Sequence, residues 1–349
     1  MKKDNHIRAI RFETPDFIPM RFHINDACWN NYPQDALCDI IEAHKLLFPW
    51  FERPKGKYTP SYDLNARKDA PYTDGFGCVW TTAEDGITGT VTGHPLADWA
   101  AFDTWRCPNP ETHNGLYPID WAAEKKVIDG CKAGGHNVWR GLRHGHTFLQ
   151  LCDLRGYENL IFDFADGEPL LWKLIERVER FNTELVKRYL DMGADIITYA
   201  EDLGMQTGPM LSPAHFNTYI KPVYQRMMKL ARDKGAAVHM HSDGDIRLLA
   251  DGLVEGGVEV LNLQDLVNGI DWIAERFKGK VCIDLDIDRQ IITPQGTPAQ
   301  IDALIKEEVK KLGGKQGGLT MVYGLYPGVP LKNIAAVMDA MEKYAYYYS

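Results

Sequence analysis

The sequence predicts an α/β protein built on a parallel sheet, and three observations carry that reading. The second half of the chain alternates short β-branched runs with longer segments of helical period. Glycine and proline punctuation falls where such helices would start and stop, and polar residues gather where the strands would end. The composition agrees, since 349 residues that are 45% hydrophobic and 25% charged are ordinary for a globular chain with a large core.

Taken in order, residues 18–24 (IPMRFHI) read as a first strand ending at polar Asn25 and Asp26. Residues 54–118 are rich in Trp, Tyr, Pro and Gly and carry few helical patterns, so they read as an irregular excursion, extended loops or a small β-sheet over the mouth of a barrel. Residues 137–142 (NVWRGL) read as a strand. A helix follows over 168–192, where Leu171, Ile175, Val178, Phe181, Leu185 and Tyr189 recur at spacings of three and four and Gly193 stops it. Strands are then expected at 195–200, 236–241, 258–263, 281–287 and 318–323. Between them, Ser212 and Pro213 open a helix that Pro222 should kink and Gly235 ends. Thr297-Pro298-Ala299-Gln300 fits a capping box for a helix through Leu312, closed by Gly313 and Gly314. Strand, helix, strand in succession requires parallel pairing through crossovers.

Other classes are disfavoured. The 39 Lys and Arg against 48 Asp and Glu give a net charge of −9, which argues against binding nucleic acid through a general positive field. No apolar run is long enough to span a bilayer, and residues 1–11 are charged, without the apolar stretch of a secretory signal. The 7 cysteines are scattered and never arranged as CxxC, so free thiols in the cytoplasm are expected. There is no phosphate-cradling glycine loop, no HExxH and no GxSxG. Neither an internal repeat nor a low-complexity tract is present.

In a parallel barrel, ligand chemistry sits at the C-terminal ends of the strands. There the sequence collects His23, Asn25 and Asp26; Arg143, His144 and His146; Glu201, Asp202 and Gln206; His239, His241 and Asp243; Asn262, Gln264 and Asp265; Asp284 and Asp286; and Tyr323. The densest cluster is His239-Met240-His241-Ser242-Asp243, whose two histidines share a strand face, with Asp243 returned toward them by a turn at Gly244. Two imidazoles and a carboxylate suit a three-ligand zinc site with an open position; a packed histidine and a helix-capping aspartate fit the same residues. Glu201 or Asp202 either joins that metal, orients a substrate, or is a solvated acid paired with a base. Asp284 and Asp286 alternate in the same way and either do acid/base work, bind a cation or pair with Arg289. Arg143, His144 and His146 offer donors for an anionic or oxygen-rich ligand.

The order of several motifs resembles the uroporphyrinogen decarboxylase superfamily from about residue 18 to a terminal helix at 330–347. These are YAEDLGMQTGPMLSP (199–213), FNTYIKPVYQRMM (216–228), HMHSDGDI (239–246), CIDLDIDRQ (282–290), a GTP-initiated helix (296–298) and GVPLKNI (328–334). The resemblance implies a single (β/α)8 TIM barrel, hence one domain over 1–349. Decarboxylases of this superfamily carry an RQAGR-type motif for tetrapyrrole carboxylates. The corresponding segment here, PMRFHINDACWNN (19–31), has Arg21 alone, which argues against a tetrapyrrole octacarboxylate. The other branch comprises zinc methyltransferases that serve corrinoid proteins. Its thiol-activating members use an H-x-C pair and a second cysteine near the last strand. His241-Ser242-Asp243 stands here instead, and Tyr323 lies about where the second cysteine would fall.

What the resemblance implies is a corrinoid-protein-dependent methyltransferase, an O-demethylase component that takes the methyl group from a methoxylated, aromatic compound and passes it to a corrinoid (cobalamin) on a partner protein. Nitrogen and oxygen ligands leave zinc harder than thiolates do and suit an ether oxygen. On this reading His241 and Asp243, with Glu201 or His239, hold zinc, and Glu201, Asp202 and Tyr323 are catalytic. His23, Asn25, Arg143, His146, Gln206 and Asp284 surround the substrate. Phe22, Trp29, Tyr32, Phe76 and Trp80 form an apolar wall or equally belong to the core. A homodimer is compatible with the resemblance. A decarboxylase or other lyase acting on a non-tetrapyrrole substrate is the alternative reading, and a non-catalytic binding protein a third.

Overall fold

The computed structural model describes residues 3–349; Met1 and Lys2, the start of the charged N-terminal stretch, lie outside the described residues. The main sheet has seven strands: β1 (Met20–Ile24), β2 (Trp139–Gly141), β3 (Ile196–Asp202), β4 (Ala237–Asp243), β5 (Val260–Gln264), β6 (Cys282–Asp286) and β7 (Leu319–Leu325). Their order is β1-β7-β6-β5-β4-β3-β2. The pairs β1/β7, β6/β7, β2/β3 and β3/β4 are parallel. The first strand therefore lies beside the last, as barrel topology requires, and the chain is of the α/β class. No eighth strand joins this sheet among the described residues. Within the irregular region, the short strands Tyr72–Thr73, Val79–Thr81 and Thr90–Gly93 form a separate three-stranded sheet. Glycine and proline interrupt that region too often for a longer strand.

The chain forms two compact units, one chiefly Pro71–Trp80 with Thr90–Asn262, the other Asp4–Ala70, Thr81–Gly89 and Leu263–Ser349. In the first, the helix Pro169–Asp191 begins with proline in its first turn and the Glu168 carboxylate accepting from Leu170 N–H at 2.9 Å. Its face of Leu171, Leu174, Ile175, Val178, Phe181, Leu185 and Tyr189 is buried. Each such side chain contributes roughly 1.5–3 kcal/mol of burial. The expected Pro222 irregularity takes a definite form: a helical turn at Pro213–His215 widens to a π-turn at Phe216–Ile220 before the helix Lys221–Asp233 resumes. Pro222 has no N–H to donate, so the turn before it opens rather than closing on a missing bond.

In the second unit, Thr297 and Gln300 make the reciprocal capping box that opens the helix Pro298–Leu312. The helix Leu331–Ala345 packs beside it, and Tyr344 Oη donates to Asp302 at 2.8 Å. A short helix, Lys3–Ile10, is one that residue pattern alone did not indicate. Among the described residues, no helix is long and apolar enough to cross a membrane.

Candidate metal centre

The site is built on the C-terminal ends of β3 and β4, whose register pairs Thr198 with His239, Ala200 with His241, Glu201 with Ser242 and Asp202 with Asp243. Because side chains alternate, Asp202, His241 and Asp243 share one face, whereas Glu201 points to the other. The two strands continue into loops that cross closely. A Cβ on Gly244 (φ +83°) would sit 2.2 Å from the carbonyl carbon of Gly204. Asp245 N–H donates to the Met205 carbonyl at 2.7 Å across the crossing. Only glycine permits this approach, and it fixes the chain just beyond Asp202 and Asp243.

Three side chains bring ligand atoms within 4.8 Å of one another: His144, Asp202 and His241. His144 Nε2 lies 3.1 Å and His241 Nε2 3.5 Å from Asp202 Oδ1, and Asp243 Oδ1 stands 3.6 Å from His241 Nε2. Donors on a tetrahedron of about 2.0–2.1 Å radius are about 3.3 Å apart, so these separations suit zinc. The other ring nitrogen of His241, Nδ1, is hydrogen-bonded to Asn262 Oδ1. Donation from Nδ1 leaves Nε2 with its lone pair directed at the acids, the tautomer a metal ligand needs. Burial alone would raise the Asp202 carboxyl, but the His144 and His241 imidazoles beside it outweigh that and hold the group well below the usual carboxylate range. The residues present thus fit a zinc ion.

The structure distributes the other expected site residues differently. Glu201 is fully buried on the reverse face of β3, where Oε1 accepts from Thr147 and Phe148 N–H and Oε2 from Leu149 N–H at 3.0 Å. Burial pushes its carboxyl up to about 7 against the pull of those donors. His239 shares the His241 face but lies two residues deeper, buried edge-to-face on Trp139 at 5.4 Å. That step of roughly 6.6 Å along a strand keeps it out of the group. His146 is completely buried against Tyr199 and Tyr224, and burial lowers it to about 3. The Arg143 side chain is buried too, binding Asp153 at 2.6 Å, Gln150 at 2.7 Å and Asp74 at 3.4 Å. Gln206 is exposed on the tip of a small hairpin.

In the second unit, Asp284 is buried and accepts from Arg21 and from Thr320 Oγ1 at 2.6 Å. Asn25 Oδ1 accepts from Ala27 N–H at 2.9 Å, a turn-forming bond, and His23 is exposed. Tyr323 is buried, its hydroxyl donates to Thr293 Oγ1 at 3.0 Å, and burial pushes it up to about 12. Of the aromatic residues, Phe22 packs between Phe48 and Tyr323, Phe76 meets Trp105 and Phe181, and Trp80 donates to Asp74, so these three are core. Trp29 and Tyr32 line a cavity of about 540 Å³ with Gln34, Cys38 and Arg53.

Two residues in or beside this candidate group, His144 and Asn262, have no metal role in the sequence reading. His144 stands there only as one donor in a polar loop, since no spacing links it to a strand 97 positions away. Asn262 carried a usable signal: it is the polar residue between two leucines of the buried strand β5, a position where an uncharged polar side chain needs a partner.

A methyltransferase from Methanosarcina mazei is similar over 98% of each chain, with a TM-score of 0.63 and 16% identity, which shows a shared fold. Residues 147–344 match the family described as Uroporphyrinogen decarboxylase (URO-D), and because this is more than half of the chain, the protein belongs to that family. The uroporphyrinogen decarboxylase of Thermus thermophilus is 29% identical over 187 residues, 51% of this chain and 50% of that protein. That of Parasynechococcus marenigrum is 26% identical over 180 residues, 49% and 47% respectively. The chain thus spans about half the length of the curated relatives it matches.

Proposed function

We propose that this protein is a zinc methyltransferase that removes the methyl group of a methoxylated aromatic compound and delivers it to a corrinoid on a partner protein. The observation that carries the reading is the donor set itself: His144, Asp202, His241 and Asp243 supply nitrogen and oxygen and no sulfur. Zinc held by such ligands would act as a Lewis acid on the ether oxygen, stabilising charge as the C–O bond breaks. The chain's own part is orientation. Asn262 fixes the ring of His241, and the two carboxylates place negative charge opposite the two imidazoles. Tyr323 does not belong to this chemistry in our reading, because its hydroxyl is spent on Thr293. Arg21, committed to Asp284, is likewise poorly placed to hold the carboxylates of a tetrapyrrole.

The test is to measure bound metal in carefully prepared protein, then mix it with a reduced corrinoid protein and a panel of methoxylated aromatics. One zinc per chain and release of the demethylated phenol, dependent on both zinc and corrinoid protein, are expected. Carbon dioxide release from a carboxylated substrate by metal-free protein would overturn the reading in favour of a lyase.

A further inference from the structure

Glu201 and Asp202 are neighbours on β3 that face opposite ways, and both reach the same loop. Asp202 meets His144 Nε2 at 3.1 Å. Glu201 holds the other end of that loop, three to five residues further on, through the N–H groups of Thr147, Phe148 and Leu149. These are donors at the start of the helix Phe148–Arg155, left without partners inside the helix, and a fully buried carboxylate from a strand satisfies all three. The segment between is pinned at two more points. Gly145, at φ +73°, donates to the Ala200 carbonyl at 2.8 Å, and Asn182 Nδ2 donates to the His146 carbonyl at 2.6 Å.

We propose that Glu201 is a positioning residue for the metal centre, tying the 143–149 loop to β3 so that His144 stands beside Asp202 as a ligand. The inference rests on the metal reading above and assigns Glu201 a task other than ligation. Strand alternation supplies the logic: one carboxylate faces the metal and the next faces the helix layer, so the loop is gripped from both sides of a single strand. A ligand on a loop has little affinity of its own unless that loop is held in place beforehand, because ordering it otherwise costs free energy at the moment of binding.

Cobalt(II) is the probe, since its visible absorption reports the number and kind of donors, and its affinity is measured by chelator competition on the full chain. Glu201→Gln keeps the shape but sets an amide donor against one of the three N–H groups. It is expected to weaken cobalt binding about 10–100-fold and to change the spectrum toward that of His144→Ala. The double variant should bind no more weakly than His144→Ala alone, because both changes remove the same ligand. Asn182→Ala, which loosens the loop from the helix Pro169–Asp191, should move affinity and spectrum in the same direction by less, and it serves if Glu201→Gln does not fold. A merely structural role would lower the melting temperature and leave the spectrum of the bound metal unchanged. Wild-type affinity and spectrum in a folded Glu201→Gln protein, or in Asn182→Ala if that alone folds, would overturn the inference while leaving the metal reading intact. Absence of cobalt binding by the wild-type chain would instead overturn the metal reading, and this inference with it.

Discussion

The ends of β3 and β4 and the ends of β6 and β7 carry the same kind of sequence signal and come to different chemistry. His239 and His241 alternate on β4; Asp284 and Asp286 alternate on β6. Beyond β4, the partner groups are imidazoles and carboxylates, 3.1–3.6 Å apart, with His241 turned by Asn262 so that a nitrogen lone pair is on offer. On β6, the buried Asp284 already has a cation, Arg21. An acid facing a neutral nitrogen donor can share a metal; an acid facing a guanidinium is neutralised and anchors the fold. The residue on the neighbouring strand decides which, and pattern within one strand does not report it.

The contrast can be broken most sharply by exchanging effects between the two places. His241→Ala should lower zinc affinity by more than about 100-fold, beyond the loss usual for an outer partner, and leave the melting temperature of the zinc-free protein nearly unchanged. Asp284→Asn should do the reverse. It leaves the Arg21 guanidinium without its carboxylate; because that side chain is a quarter exposed, a cost of about 2 kcal/mol is expected, below the figure for a fully buried pair, with zinc content unaffected. Zinc titration and thermal melts on both variants check this together. A loss of zinc in Asp284→Asn equal to that in His241→Ala would mean that the two regions are not chemically distinct.

These regions also mark what the sequence made legible. Local signals held wherever the determinant was local: the Thr297 capping box, the proline-opened helices and the β-branched runs all rest on neighbours in the chain. Strand-end positions followed from the same patterns, so His241 and Asp243 were legible as residues on one face at the end of a strand. What pattern could not give was the choice between Glu201 and Asp202, since a shift of one residue in a strand reverses its facing. Nor could it give His144, which depends on a loop returning beside β3, or the capture of Arg143 by Asp74 and Asp153, a contact of residues 69 and 10 positions away.

A finer test of the same contrast concerns Asn262. Asn262→Leu removes the acceptor for His241 Nδ1 and frees the ring to turn, so zinc affinity should fall about 10–100-fold, less than for loss of the ligand itself. Asn262→Asp should restore it in part, because a carboxylate accepts the same N–H. Equilibrium zinc competition on the two variants decides the matter, and equal losses in both would show that packing, rather than the hydrogen bond, is what Asn262 provides.

The smallest expected effect lies at the buried acids of the second unit. Glu308, on the helix Pro298–Leu312, is fully buried, and burial first, then the neighbouring Asp265 carboxylate, raises it well above its ordinary value of 4.5. An acid whose folded value is raised contributes stability that is fully present below the unfolded value and is lost as pH rises through the folded one. The wild-type melting temperature should therefore decline on the alkaline side, whereas Glu308→Gln, which has no proton to lose, should decline less. The two curves should converge toward acid pH. Melting temperatures of zinc-free protein across pH 5–9 provide the measurement, and parallel curves would show that Glu308 stays ionised in the fold. Zinc affinity at pH 7 should be the same in both proteins, since Glu308 is no part of the His241 centre.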